Sequence, residues 1–370
     1  MKRKKIVRIT ARIFLILFGI LLLFTLGTFI YHRVKTKEEL ALLKEKGYYN
    51  PVSVGDYSLN VAKFGNENGK HTIVALAGLG MGEYSVAGRQ MTACLEEEHL
   101  VVFIDRAGYG LSDDTDHEMT LEYIVEDYRK ALKNAGIEAP YILLPHSIGG
   151  AYASYWSSRY PEEIEAVVFV DGSQLSETAF EEEPYYTVSF GDKALAFLAK
   201  LGFGRFVLRD YLYLYPDNFS KEEQRLGDAL YLMTMDSVAP ISEAGLLAPN
   251  AQDAFRQIVT NDIPKLYICA SWGIQSKEDL MECQIWVNRE IEKNHLDMPL
   301  KTTDFEDADE ALQEILNTYE EARRDILYPY AEKMGNCEVV CLPGDHMIYE
   351  QKPEECGKLI KDFIDGLDRS

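Results

Sequence analysis

Serine 147 sits in the run Leu143-Leu144-Pro145-His146-Ser147-Ile148-Gly149-Gly150-Ala151, between an apolar stretch and a cluster of small residues. A serine held in a sharp strand-to-helix turn exposes its Oγ at the end of the strand, and small neighbours are needed because the turn is crowded. The chemistry open to such a hydroxyl is nucleophilic attack, once a base removes its proton. Proline at 145 removes one strand N–H just before the turn. The same residues would also make an ordinary turn with a capping serine. Three other glycine-bearing loops follow apolar runs: Leu76-Ala77-Gly78-Leu79-Gly80, Asp105-Arg106-Ala107-Gly108-Tyr109-Gly110-Leu111-Ser112 and Gly344-Asp345-His346-Met347-Ile348. The last holds an imidazole in a glycine-flanked loop, free to reach a facing hydroxyl.

The elements that must position these residues alternate in type. Residues 52–54 and 59–64 flank Gly55-Asp56, a hairpin signal. Residues 72–77, 100–104, 141–144, 166–170, 265–270 and 337–342 are short apolar runs, as expected of strands buried on both faces of a parallel sheet. Residues 120–134 form the clearest helix, with Thr120 as N-cap, Leu121, Ile124, Val125, Tyr128 and Leu132 on one face, and Gly136 as its stop. Strand–helix alternation over most of the chain indicates an α/β class, a doubly wound, mostly parallel sheet. Residues 174–262 contain 13 aromatics, too long a stretch for a loop, and read as a helical cap. Residues 274–335 form a second excursion with no chemistry assigned to it.

The D-R-x-G-x-G-x-S segment at 105–112, the H-S-x-G-G turn at 146–150 and the late G-x-H at 344–346 occur in the order seen in the α/β-hydrolase superfamily, which the chain resembles from about Tyr48 to Leu367. The resemblance implies Ser147 as nucleophile, His346 as general base, and the backbone N–H groups of Leu79 and Ile148 as the oxyanion hole. His146 is the residue that commonly packs under such a turn. Two departures are visible: Pro145 replaces the first glycine of G-x-S-x-G, and Ala77-Gly78 stands where relatives carry His-Gly. The acid is less direct. The usual position follows residues 265–270, where the chain reads Ser271 to Asp279 with no carboxylate at short distance. A variant arrangement places it one strand earlier, at Asp171, with Asp279 or Glu278 behind it. The remaining histidines (32, 71, 99, 117 and 295) have no comparable setting.

Composition bounds the alternatives. The 370 residues carry 38 Lys+Arg against 60 Asp+Glu, a net charge of −22, which disfavours a nucleic-acid partner. Nine basic residues and no acidic one fall within residues 1–37, so the rest of the chain carries −31. Residues 13–31 are uncharged and, at about 1.5 Å per residue, reach roughly 28 Å, the hydrocarbon thickness of a bilayer. They read as an uncleaved signal-anchor rather than a cleaved signal peptide. The order is then a basic cytoplasmic arm (1–12), a transmembrane helix (13–31), a helical stalk (32–47) and the hydrolase-like domain (48–370), with the N-terminus cytoplasmic and the domain on the extracytoplasmic side. No GxGxxG fingerprint, GxxxxGK[ST], CxxC or HExxH occurs, so no cofactor and no metal are expected. Cys269 and Cys341 are possible strand neighbours, read as buried thiols. The expectation is a serine hydrolase acting on an ester or amide of a small to medium, partly apolar molecule. The alternative is a non-catalytic surface binding protein of the same fold.

Overall fold

The computed structural model describes residues 2–207, 218–279, 282–283 and 309–369. Tyr211, Tyr213, Tyr215 and His295 lie outside these. Eight strands form one sheet: β1 (Pro51–Ser53), β2 (Ser58–Gly65), β3 (Thr72–Leu76), β4 (Leu100–Asp105), β5 (Tyr141–Ser147), β6 (Ile164–Gly172), β7 (Lys265–Cys269) and β8 (Cys337–Cys341), in the order β1-β2-β4-β3-β5-β6-β7-β8. Only β1–β2 and β2–β4 pair antiparallel; every later pair is parallel. The apolar runs therefore occupy a sheet covered on both faces. Val74, Val102, Leu143 and Val167 pack into one core, and Ile73, Val101, Ile142 and Val168 into the other. Each such fully buried side chain contributes on the order of 1.5–3 kcal/mol.

The helices obey their local signals. Helix Leu121–Asn134 begins where the Thr120 hydroxyl accepts from the Tyr123 N–H, and it stops before Gly136, whose φ of +70° no β-branched residue would adopt readily. Pro145 lies inside the central strand β5, opposite Leu76. The β5–β6 register shifts between His146 and Ser147, so the missing N–H falls where the ladder is already loosening into the turn.

Between β6 and β7 the chain builds a helical layer of Phe190–Lys200, Lys221–Thr234, Ala239–Gly245 and Leu247–Arg256. The loop after β4 anchors it. Asp114 accepts from the Val238 and Ala239 N–H groups, the Thr234 hydroxyl accepts from Gly110 N–H at 2.9 Å, and Asn250 bonds both Leu121 N–H and Met119 O. A single helix, Lys2–Glu45, contains residues 13–31 and is long and apolar enough to cross a membrane. Its C-terminal part does not stand free of the body. Leu43 is fully buried, Lys46 pairs with Glu222, and the Arg205 guanidinium reaches Glu39, His32 and Thr36.

Candidate active site

Ser147 closes β5 and the helix Gly149–Arg159 follows at once, so the hydroxyl stands at the carboxyl edge of the central strand. Its φ is +53°, left-handed backbone that a non-glycine residue adopts only when its surroundings enforce it. Two close approaches do so. A Cβ on Gly149 would lie 2.6 Å from the Leu76 carbonyl, and one on Gly78 would lie 3.0 Å from Ser147 Cβ. Glycine at these positions lets the loop after β3 close against the turn. Leu79 and Ile148, the two expected oxyanion donors, thus flank Ser147 from the β3 loop and from the helix start.

His346 lies in the loop after β8. Its Nδ1 is 2.8 Å from Asp171 Oδ2, and its ring centroid is 4.7 Å from that of His146, the residue before the serine. His146 Nε2 in turn donates to the His346 carbonyl at 2.9 Å, tying the base loop to the turn. Burial, then the neighbouring His346, pushes the His146 pKa far down, so this imidazole is a neutral strut wedged among Tyr84, Tyr349 and His346. For His346 burial opposes the charged form, but the bond and charge of Asp171 outweigh it and raise the pKa above the usual value.

Of the three carboxylates considered for the acid, Asp171 is the one that reaches His346. It ends β6 with φ +42°, is buried, and accepts from Ala270 N–H at 2.8 Å, Ser271 N–H at 3.3 Å and Ser271 Oγ–H at 2.8 Å. Three donors besides the imidazole fix the carboxylate and keep it oriented on the ring. Asp279 instead accepts from Gln275 and Ser276 N–H within its own turn, and Glu278 is exposed. The segment Ser271-Trp272-Gly273 thus supplies donors to the acid, where the more usual arrangement would supply the acid itself.

Sequence reasoning recognised the 105–112 motif and gave Arg106 no role. Its guanidinium is 1% exposed; it donates to the Ala77 and Gly78 carbonyls at 2.7 Å each and to Glu243 at 2.9 Å. Glu243 also accepts from Tyr152 O–H at 2.5 Å, and Tyr109 O–H accepts from Gly80 N–H at 3.1 Å. A buried ion pair therefore joins the loop after β4 to the cap helix Ala239–Gly245, with Arg106 tying in two carbonyls of the β3 loop. A charged pair of residues separated by more than a hundred positions offers no sequence signal beyond an arginine after a strand. Among the described residues no cluster of His, Cys, Asp and Glu forms a metal site.

The geometry is a hydroxyl on strained backbone, an imidazole oriented by a buried carboxylate, and a glycine loop bringing backbone donors alongside, which together suit acyl transfer. Residues 72–211 match the family described as alpha/beta hydrolase fold. A Bacillus subtilis protein, the uncharacterised YbdG, is 36% identical over 159 residues, which are 43% of this chain and 48% of that protein. A Cronobacter sakazakii protein, named provisionally as the carbamate hydrolase RutD, is 28% identical over 162 residues, 42% of this chain and 55% of that one. The matches span about half the length of these two relatives. Among solved structures, a Pseudomonas aeruginosa protein named provisionally as a hydrolytic enzyme superposes with a TM-score of 0.55 at 15% identity, covering 85% of this chain and 93% of that one. The haloalkane dehalogenase DatA of Agrobacterium tumefaciens superposes at 0.52 with 16% identity, covering 86% and 96%. These likenesses concern the fold.

Proposed function

We propose that the chain, whose residues 72–211 match the family described as alpha/beta hydrolase fold, is a serine hydrolase cleaving an ester or amide bond through an acyl-enzyme. The observation that carries this reading is the His346–Asp171 bond, made with the His346 ring 4.7 Å from that of His146, the residue before the strained Ser147, because an imidazole oriented by a buried carboxylate next to such a turn suits proton transfer. Asp171 holds the Nδ1 proton, leaving Nε2 to take the Ser147 proton during attack and return it to the leaving group. The tetrahedral oxyanion that forms is met by the N–H groups of Ile148 and Leu79, each such donor being worth about 3–4 kcal/mol in the transition state. Water then attacks the acyl-serine with the same imidazole as base. A serine in this turn disfavours the aspartyl-ester chemistry of dehalogenases. The aromatic cap favours a partly apolar acyl group, so esterase- or lipase-like activity is preferred over aminopeptidase activity. The anchor is residues 13–31, with the N-terminus cytoplasmic and the domain outside.

A fluorophosphonate probe applied to the full chain in detergent tests the reading. Wild type labels covalently and Ser147→Ala does not. Labelling that is absent from wild type, or unchanged in Ser147→Ala, refutes it and favours a non-catalytic binding protein. N-terminal sequencing of the membrane-bound protein checks the anchor: a start beyond residue 31 shows cleavage.

A further inference from the structure

We infer that the cap segment 190–206 docks into the outer face of the same lipid bilayer that residues 13–31 cross, making the cap a second, shallow membrane contact. Its partner is the acyl-chain region of the lipid.

The observations begin with exposure. Outside the N-terminal helix, eight of the eleven large apolar residues that are exposed among the described residues fall between Phe180 and Phe206. Phe190 is 88% exposed, Leu195 65% and Phe197 60%, far more than a soluble surface gathers in one place. In the helix Phe190–Lys200 the spacing of Phe190, Phe197 and Leu198 puts them on one face, while Ala196 is buried against the body. A helix with one apolar face open and one face packed is the form that lies in a membrane interface.

Position identifies the occupant. The turn after this helix is packed on the apolar part of the N-terminal helix. Thr28 Oγ donates to the Leu201 carbonyl at 3.0 Å, and a Cβ on Gly202 would lie 2.5 Å from the Thr28 carbonyl. The Phe203 and Phe206 rings sit 6.0 and 6.3 Å from Phe24, and Phe206 also meets Tyr31 at 5.9 Å. Phe24 is seven residues before Tyr31, roughly 10 Å along the helix axis. If residues 13–31 span the hydrocarbon, Phe203 and Phe206 are within its outer margin and the exposed face of Phe190–Lys200 is beside it. An aqueous setting for that face would leave its rings in water while the adjoining turn touches lipid.

Charge is sparse on this patch. Arg205 pairs with Glu39 and Lys193 with Asp116, and the exposed Lys200 in the last turn of the helix is the cation left for a headgroup. Around that one charge the segment presents hydrocarbon and aromatic surface, which is why the acyl-chain region is its partner.

The test uses the full chain reconstituted in phosphatidylcholine vesicles containing a phosphatidylcholine with a diazirine in its acyl chain. After irradiation, digestion and peptide mass mapping locate the adducts. The expected result is adducts on residues 13–31 and also on 190–206, with the latter lost in a Phe190→Asp/Phe197→Asp double variant and the former kept. Adducts confined to 13–31 in wild type overturn the proposal. Adducts on neither segment overturn it along with the anchor. The readout does not involve Ser147, so it stands or falls separately from the catalytic reading.

Discussion

Asp171→Asn isolates the step on which the proposed chemistry depends. Asp171 Oδ1 accepts from the backbone N–H groups of Ala270 and Ser271, while Oδ2 accepts from Ser271 Oγ and faces His346 Nδ1 at 2.8 Å. In the amide, the remaining oxygen keeps the two backbone bonds and the NH2 group takes the place of Oδ2. The serine hydroxyl can reverse its role and accept. The imidazole can too, but only by carrying its proton on Nε2, and an Nε2–H cannot take the proton of Ser147. The backbone is undisturbed, since asparagine tolerates the φ of +42° found here. The variant therefore folds, and kcat falls by on the order of 10⁴, about 5 kcal/mol of transition-state stabilisation. The assay is hydrolysis of a short-chain p-nitrophenyl ester by the full chain in detergent, with a circular-dichroism melt to verify folding. Asp171→Asn retaining kcat within about tenfold of wild type, or Asp279→Asn losing as much, would refute the assignment of the acid.

Three further outcomes follow from the geometry. Because Asp171 raises the His346 pKa, the acid limb of kcat/KM has its midpoint above 6.5, activity being lost as pH falls through it; in Asp171→Asn only the charge of Asp345 still opposes burial, and the limb moves to lower pH. The linked stability runs the other way: the contribution of protonated His346 is complete below pH 6.5 and disappears as pH rises through the folded-state value, which urea titrations across this window measure. Arg106→Met leaves Glu243 buried without its cation and two β3-loop carbonyls unbonded, so unfolding free energy in urea drops by roughly 3–5 kcal/mol; a loss under about 1 kcal/mol would mean the pair is not closed in solution. Cys341 is paired in register with Cys269 on the next strand, and the neighbouring Cys269 thiol, with Gln275 and Arg323, lowers its pKa against the opposing effect of burial, whereas burial raises that of Cys337 on the same strand to about 12. Iodoacetamide at pH 7 should modify Cys341 at least roughly tenfold faster than Cys337, and equal rates would contradict the structure.

The local layer was legible from residue order. Six apolar runs and the two arms of a hairpin became eight strands, because continuous hydrophobicity over a few residues between turn residues suits a strand inside a covered sheet. Thr120 and Gly136 marked the ends of their helix for local reasons of capping and left-handed backbone. Ser147 stood out because a strained turn demands small neighbours, and those neighbours are adjacent in sequence. The apolar length of residues 13–31 needed no fold to be read.

Tertiary structure decided what depends on residues far apart. Asp171 and Asp279 were both open to the sequence, since a carboxylate after a strand is common; the parallel pairing of β6 with β7 is what turns Asp171 toward His346, 175 positions away, and gives it the amides of Ala270 and Ser271. Arg106 acquired its partner Glu243 only through the packing of the cap on the β4 loop, a contact spanning 137 positions. The segment 32–47 reads by itself as a stalk, with Leu40 and Leu43 its only ridge, yet Leu43 is buried and Glu39 is held by Arg205 of the cap. Short-range patterns encode backbone conformation because capping and periodicity act within a turn or a strand. Which side chains finally meet is set by the order in which strands join the sheet, and hydrophobic patterning, being non-directional, leaves that order open.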